Sequence, residues 1–170
     1  MSGGSDPNDL LSAISEAEAA FAEIGSSISP REDEIAGGNH WKTQLTKACR
    51  LLSAATLLRR ENGHFTAQIE LCFGATERSI EAFLLRMGGH DLQDFRDHTL
   101  CYNRAHEAGL FERTTAEKLL ALYADNRTES YYGGRRPTEA QADAMVNVAG
   151  NVHRFAASQI REGSVCVCSN

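Results

Sequence analysis

The sequence predicts an all-α fold: an antiparallel bundle of about five helices, with one further helix before it. Three observations carry this prediction. Apolar residues recur at helical spacing through most of the chain. No stretch shows the period-two alternation of a half-buried strand. The breaks between periodic stretches are short and hold Gly, Pro, Asn or a helix cap. A length of 170 residues is enough for one real core. An apolar fraction of 42% is ordinary for a folded chain.

Asp6-Pro7 reads as an N-cap followed by proline at the first helical position. A helix from there to about Ile24 places Leu10, Ile14, Ala17, Phe21 and Ile24 on one face. Residues 25–38, rich in Ser and Gly with Pro30 and an acidic patch, read as a linker. The next helix spans Trp41 to about Asn62, with Trp41, Leu45, Ala48, Leu52 and Ala55 on one face. Asn62-Gly63 breaks it. Phe65 to Met87 is the most apolar stretch. Phe65, Ile69, Cys72, Phe73, Ile80, Phe83, Leu84 and Met87 form a broad stripe, with Glu77, Arg78 and Glu81 elsewhere, so this helix belongs at the centre of the core. Gly88-Gly89 ends it.

A shorter helix is predicted from Leu92 to Glu107, with Phe95, Thr99 and Tyr102 on one side and Gly109 after it. Thr114-Thr115-Ala116-Glu117 reads as a capping box opening the next helix, on which Ala116, Leu120, Tyr123, Arg127 and Tyr131 share a face. Thr138-Glu139-Ala140-Gln141 is a second box, directly after Pro137. The last helix carries Ala142, Met145, Ala149, Val152, Ala156 and Ile160 inward. The predicted organisation is therefore an acidic N-terminal helix and linker over 1–39, a helical bundle over 40–162 and a tail over 163–170.

The charge is unevenly distributed. Residues 1–39 hold eight acids against Arg31, a net −7, so the remainder nets about +1 of the total −6. That balance excludes general nucleic-acid binding by the first segment and leaves the body near neutral. No apolar run approaches the ~20 residues that span a bilayer. The start lacks a basic region and apolar core, so a cytoplasmic location without membrane contact is expected. Cys49, Cys72 and Cys101 sit singly in helical patterns and read as buried thiols. Cys166 and Cys168 stand in the tail without a second ligand pair, so no metal site is expected. Six histidines, His40, His64, His90, His98, His106 and His153, show no i,i+4 pair with a third ligand. No cofactor loop is readable either. His98, flanked by Phe95 and Cys101 one turn away on either side, reads as a satisfied interior residue. Arg59-Arg60-Glu61-Asn62-Gly63-His64 has an Arg-four-His spacing of the kind chance supplies, and Arg59 and Arg60 read as a solvated helix end.

The most distinctive stretch runs from Leu119 to Met145. An amphipathic helix brings Arg127-Thr128-Glu129-Ser130-Tyr131-Tyr132-Gly133 to its end, and a Gly-Gly-Arg-Arg-Pro turn leads to a Thr-Glu-Ala-rich last helix that ends in Val152-His153-Arg154-Phe155-Ala156. On these residues, and on the pattern of the preceding helices, residues 41–162 resemble the HEPN domains. These are small all-helical domains, many of them paired with nucleotidyltransferases and many of them metal-independent ribonucleases. The resemblance implies a homodimer with the arginine motif near a cleft between two copies. In the catalytic members a His follows the Arg by four to six positions. The Arg steadies the phosphate and the His handles the proton of the attacking 2′-hydroxyl. Here that window holds Tyr131, Tyr132, Gly133 and Gly134. Tyrosine, with a pKa of about 10, is a poor base at neutral pH.

The expected function is therefore a non-catalytic, HEPN-like domain that binds a nucleotide, RNA or a protein partner. Arg127, Tyr131, Tyr132, Arg135 and Arg136 would supply cations and aromatic faces. The alternative is a metal-independent endoribonuclease toxin of a toxin–antitoxin pair. Its catalytic residues would be Arg127 and Tyr132, with His98 brought in by the fold. A third reading is a structural protein-interaction module whose acidic arm docks on a basic partner.

Overall fold

The computed structural model describes residues 7–22, 39–132 and 136–160; the side chains of 7–9 and 127–132 lie outside that description. The readings of Asp6 as a cap, of Ile24, of the linker and of the tail also lie outside it. Among the described residues every regular element is helical: α1 (Pro7–Ala22), α2 (His40–Glu61), α3 (Phe65–Met87), a 3-10 turn (Leu92–Phe95), α4 (Leu100–Glu107), α5 (Arg113–Tyr132) and α6 (Glu139–Gln159). None is long and apolar enough to cross a membrane. The chain forms two compact units, residues 1–34 and 35–170. The first contains α1, on which Leu10, Leu11, Ile14 and Phe21 are exposed.

In the second unit α3 is the axis. Its partners are α2 and α6, with α4 at one side. The directions follow from pairs of residues. Arg86 near the end of α3 covers Trp41 at the start of α2, so these two helices are antiparallel. They approach so closely that a Cβ on Gly74 would stand 3.2 Å from Leu51 Cδ1. Phe73 meets Tyr123 edge-on at 5.5 Å, and Ile69 shares a cavity wall with Asn126, so α5 runs against α3. Ser79 and Ile69 face His153 and Met145, in that order, so α6 runs with α3 and against α5. The four long helices therefore alternate down, up, down, up, as an antiparallel bundle requires.

Local chemistry sets the boundaries. Thr138 closes the predicted capping box at α6: Thr138 N donates to Gln141 Oε1 at 2.8 Å and Gln141 N to Thr138 Oγ1 at 3.3 Å. Gly88 and Gly89 both take φ of +85°, a region open to glycine at no steric cost. Three expectations are corrected. The stretch from Leu92 to Glu107 is not one helix. Asp91 and Asp94 cap each other's backbone around the 3-10 turn, and Asp97 accepts from Thr99 N at 2.9 Å. These aspartates bond their own backbone and so compete with helix continuation. Thr99 is exposed as a result. Helix α5 begins at Arg113, before the predicted Thr114 box, with Thr115 N and Ala116 N bonded to Glu112 O. Finally, Glu77 and Glu81, read as lying off the apolar stripe, are buried in α3, whereas Met87, read as part of it, is exposed.

Candidate functional site

The junction of α5 and α6 holds a cavity of about 420 Å³. Ile69, Leu122, Ala144, Met145 and Val148 form its apolar floor, and Asn126, Arg136, Thr138 and Gln141 its polar rim. The bundle creates it because α5 ends and α6 begins beside the first turns of α3. Asn126 Nδ2 is committed to Leu122 O at 2.9 Å, and Gln141 Oε1 to the Thr138 cap. Asn126 Oδ1, Gln141 Nε2 and the guanidinium of the exposed Arg136 are the other polar groups of the described rim. The described lining holds no His, Cys, Asp or Glu.

Of the predicted site residues, only Arg136 lines this cavity by a described side chain. The backbones of Arg127, Tyr131 and Tyr132 continue α5 directly past Asn126; their side chains, and Arg135 altogether, lie outside the described residues. His98 stands elsewhere. It lies in the turn before α4, where its Nδ1 donates to Glu77 Oε2 at 2.8 Å. The imidazole is 42% exposed and the carboxylate 5%. Glu77 is one turn above Phe73 on α3, while Arg127 is one turn below the Tyr123 that packs on Phe73. Two turns, roughly 11 Å along the bundle, thus separate the level of His98 from the Arg127 backbone. Arg59, near the end of α2, is held by Asp143 through contacts of 2.7 and 2.9 Å.

A cluster that the sequence reading missed lies in the core. His153 of α6 is buried between Ser79 of α3 and Cys49 of α2, with Nδ1 2.9 Å from Ser79 Oγ and Nε2 3.2 Å from Cys49 Sγ. Ser79 Oγ donates to Ala75 O at 2.7 Å. Its hydrogen is therefore used, and His153 Nδ1–H must be the donor to it. Nε2 is left to accept from the thiol. The relay joins three helices, and neither described cavity is lined by any of its members. It is a polar pin in the core. Separation by 74 and 104 residues hid it; the only signal was a His within an otherwise apolar α6 face. The other buried thiols are Cys72 and Cys101. Burial pushes Cys72 up to about 12 and raises Cys101 further. No group of His, Cys, Asp or Glu able to hold a metal occurs among the described residues.

A second cavity, about 780 Å³, lies between the α4–α5 turn and α6, with Phe111 and Phe155 stacked at 5.8 Å in its wall. His106 Nδ1 donates to Phe111 O at 3.1 Å and fixes that wall.

The described residues form an all-helical bundle with cavities at its helix junctions. A family model described as a domain of unknown function, DUF8154, matches residues 5–168, and the chain belongs to that family. No curated protein and no solved structure matches it.

Proposed function

We propose that the chain is a HEPN-like domain that binds a nucleotide or similar phosphate-bearing ligand at the α5–α6 junction without cleaving it. One observation carries the reading. The cleft beside the Arg127 segment combines an apolar floor, amide groups and a cation, yet its described lining contains no acid–base residue. Such a lining suits a flat, partly apolar body with an anionic end. It supplies no proton transfer near neutral pH. The sequence adds Tyr131 and Tyr132 where catalytic relatives of the resembled family have His. The same resemblance supports a homodimer and a nucleotidyltransferase partner.

The test is a calorimetric titration of the full chain with AMP. Arg127→Ala should weaken binding by about 1–3 kcal/mol, the range for a charge-assisted hydrogen bond. A labelled RNA incubated with the wild type in a chelator should stay intact. Metal-independent cleavage that Arg127→Ala abolishes would establish the ribonuclease instead. Absence of AMP and RNA binding would leave a protein-interaction module.

A further inference from the structure

The second cavity, between the α4–α5 turn and α6, plays no part in the proposed function. Its volume of about 780 Å³ falls within the roughly 300–1,000 Å³ of small-molecule sites. Local chemistry builds it. Gly109, at φ of +77°, turns the chain at the end of α4. Leu110 N and Phe111 N then bond back to Ala105 O at 2.8 and 3.4 Å. The His106 bond to Phe111 O closes the same turn, so Phe111 is held in place. Its ring lies against one face of Phe155. Phe155 remains 45% exposed, and it lines the cavity.

The polar groups of this lining favour a donor. His106 donates through Nδ1 to a carbonyl, so Nε2 of the neutral ring is an acceptor. Glu112 is an exposed carboxylate that no described base holds in an ion pair. Asn151 is spent: its Nδ2 donates to Asn147 O at 2.8 Å, and its Oδ1 accepts from Arg154 at 3.0 Å. Arg154, the base next to Phe155 in sequence, folds back along α6, where a Cβ on Gly150 would stand 3.3 Å from its Nη1. Neither Arg154 nor Arg113 lines the cavity. Thr115 adds a hydroxyl that can accept or donate. Acceptors, one negative charge and an aromatic face are the complement of a protonated amine. We propose that this cavity binds a small organic cation, a primary ammonium on an aromatic body, with the ammonium at Glu112 and the body against Phe155. The α5–α6 cleft carries Arg136 instead, so the two sites take ligands of opposite sign and neither depends on the other.

Three probes share one body and differ in charge: phenylethylammonium, phenylethanol and phenylacetate. Calorimetric titration of the full chain should give saturable binding of the amine at one site per chain. The alcohol should bind at least about tenfold more weakly, since it lacks the charge-assisted bond, and the acid should not bind. Glu112→Gln should weaken the amine about tenfold and leave the alcohol within about twofold. Phe155→Ala should weaken amine and alcohol alike, because both use the ring. Both side chains are exposed, so each variant should keep a native circular dichroism spectrum. Equal affinity for amine and alcohol would overturn the proposal. So would absence of amine binding at millimolar concentration, or a Glu112→Gln variant that holds the amine as tightly as wild type. A molecular mass that halves in Phe155→Ala by light scattering would also overturn it, because the wall would then be an interface between copies.

Discussion

Glu81 shows how one side chain carries an opposed pair of forces. It is 1% exposed, and burial pushes its carboxyl above the ordinary value of 4.5. The Arg78 guanidinium, through its charge and its hydrogen bond, opposes that shift, as do His98 and Lys47. Because the folded-state pKa is raised, the folded chain holds this proton more tightly than the unfolded chain. Below 4.5 both states are protonated and the group costs nothing. As pH rises from there to the folded pKa the cost grows, and above it stays constant. Glu81→Gln should therefore raise the urea midpoint relative to wild type at pH 7, with the gap closing toward pH 4. Urea titrations at several pH values would show this; a gap independent of pH would rule it out. His153 is the contrasting residue. Its polar atoms are satisfied by Ser79 and Cys49, so the core keeps it as a connector of three helices.

At the scale of elements, α3 bears the load because α2 and α6 both pack on it. Leu84 is fully buried there, and Leu84→Ala should cost about 2–5 kcal/mol, read from chemical denaturation. A loss below 1 kcal/mol would mean that the central packing is misassigned. Much of this level was legible in the sequence. The bounds of α3 and the cap of α6 at Thr138 follow from apolar periodicity and glycine and threonine chemistry, which act within one or two turns. The split of the stretch from Leu92 to Glu107 was not legible by period alone. Asp91, Asp94 and Asp97 decide it, since each spends its carboxylate on nearby backbone. The start of α5 moved for a related reason: Glu112 O already accepts from Thr115 and Ala116.

For the whole molecule, the proposed reading carries a consequence for assembly. The resembled family sets its arginine motif near a cleft between two copies. A homodimer is accordingly expected, with a twofold interface. Light scattering at high micromolar concentration should give about twice the 18.6 kDa chain mass. A single species at the chain mass would leave the α5–α6 cleft as a site within one copy.

The sequence by itself determined the helical class, the central place of α3 and the concentration of acid in the first segment. Each depends on residues close together in the chain, through period, capping and composition. The position of Arg127 beyond Tyr123 was also local, being one turn of one helix. Tertiary structure alone decided which distant groups meet. Glu77 and Glu81 were read as lying off the apolar stripe, but a helix packed on several sides has no broad outer face, so they are buried and take His98 and Arg78 as partners. The Cys49–His153–Ser79 relay, the offset of His98 from the level of the Arg127 backbone and the contact of Arg86 with Trp41 depend on how antiparallel helices are laid side by side. Helical period fixes which face a residue occupies; the packing of neighbouring helices fixes what that face meets.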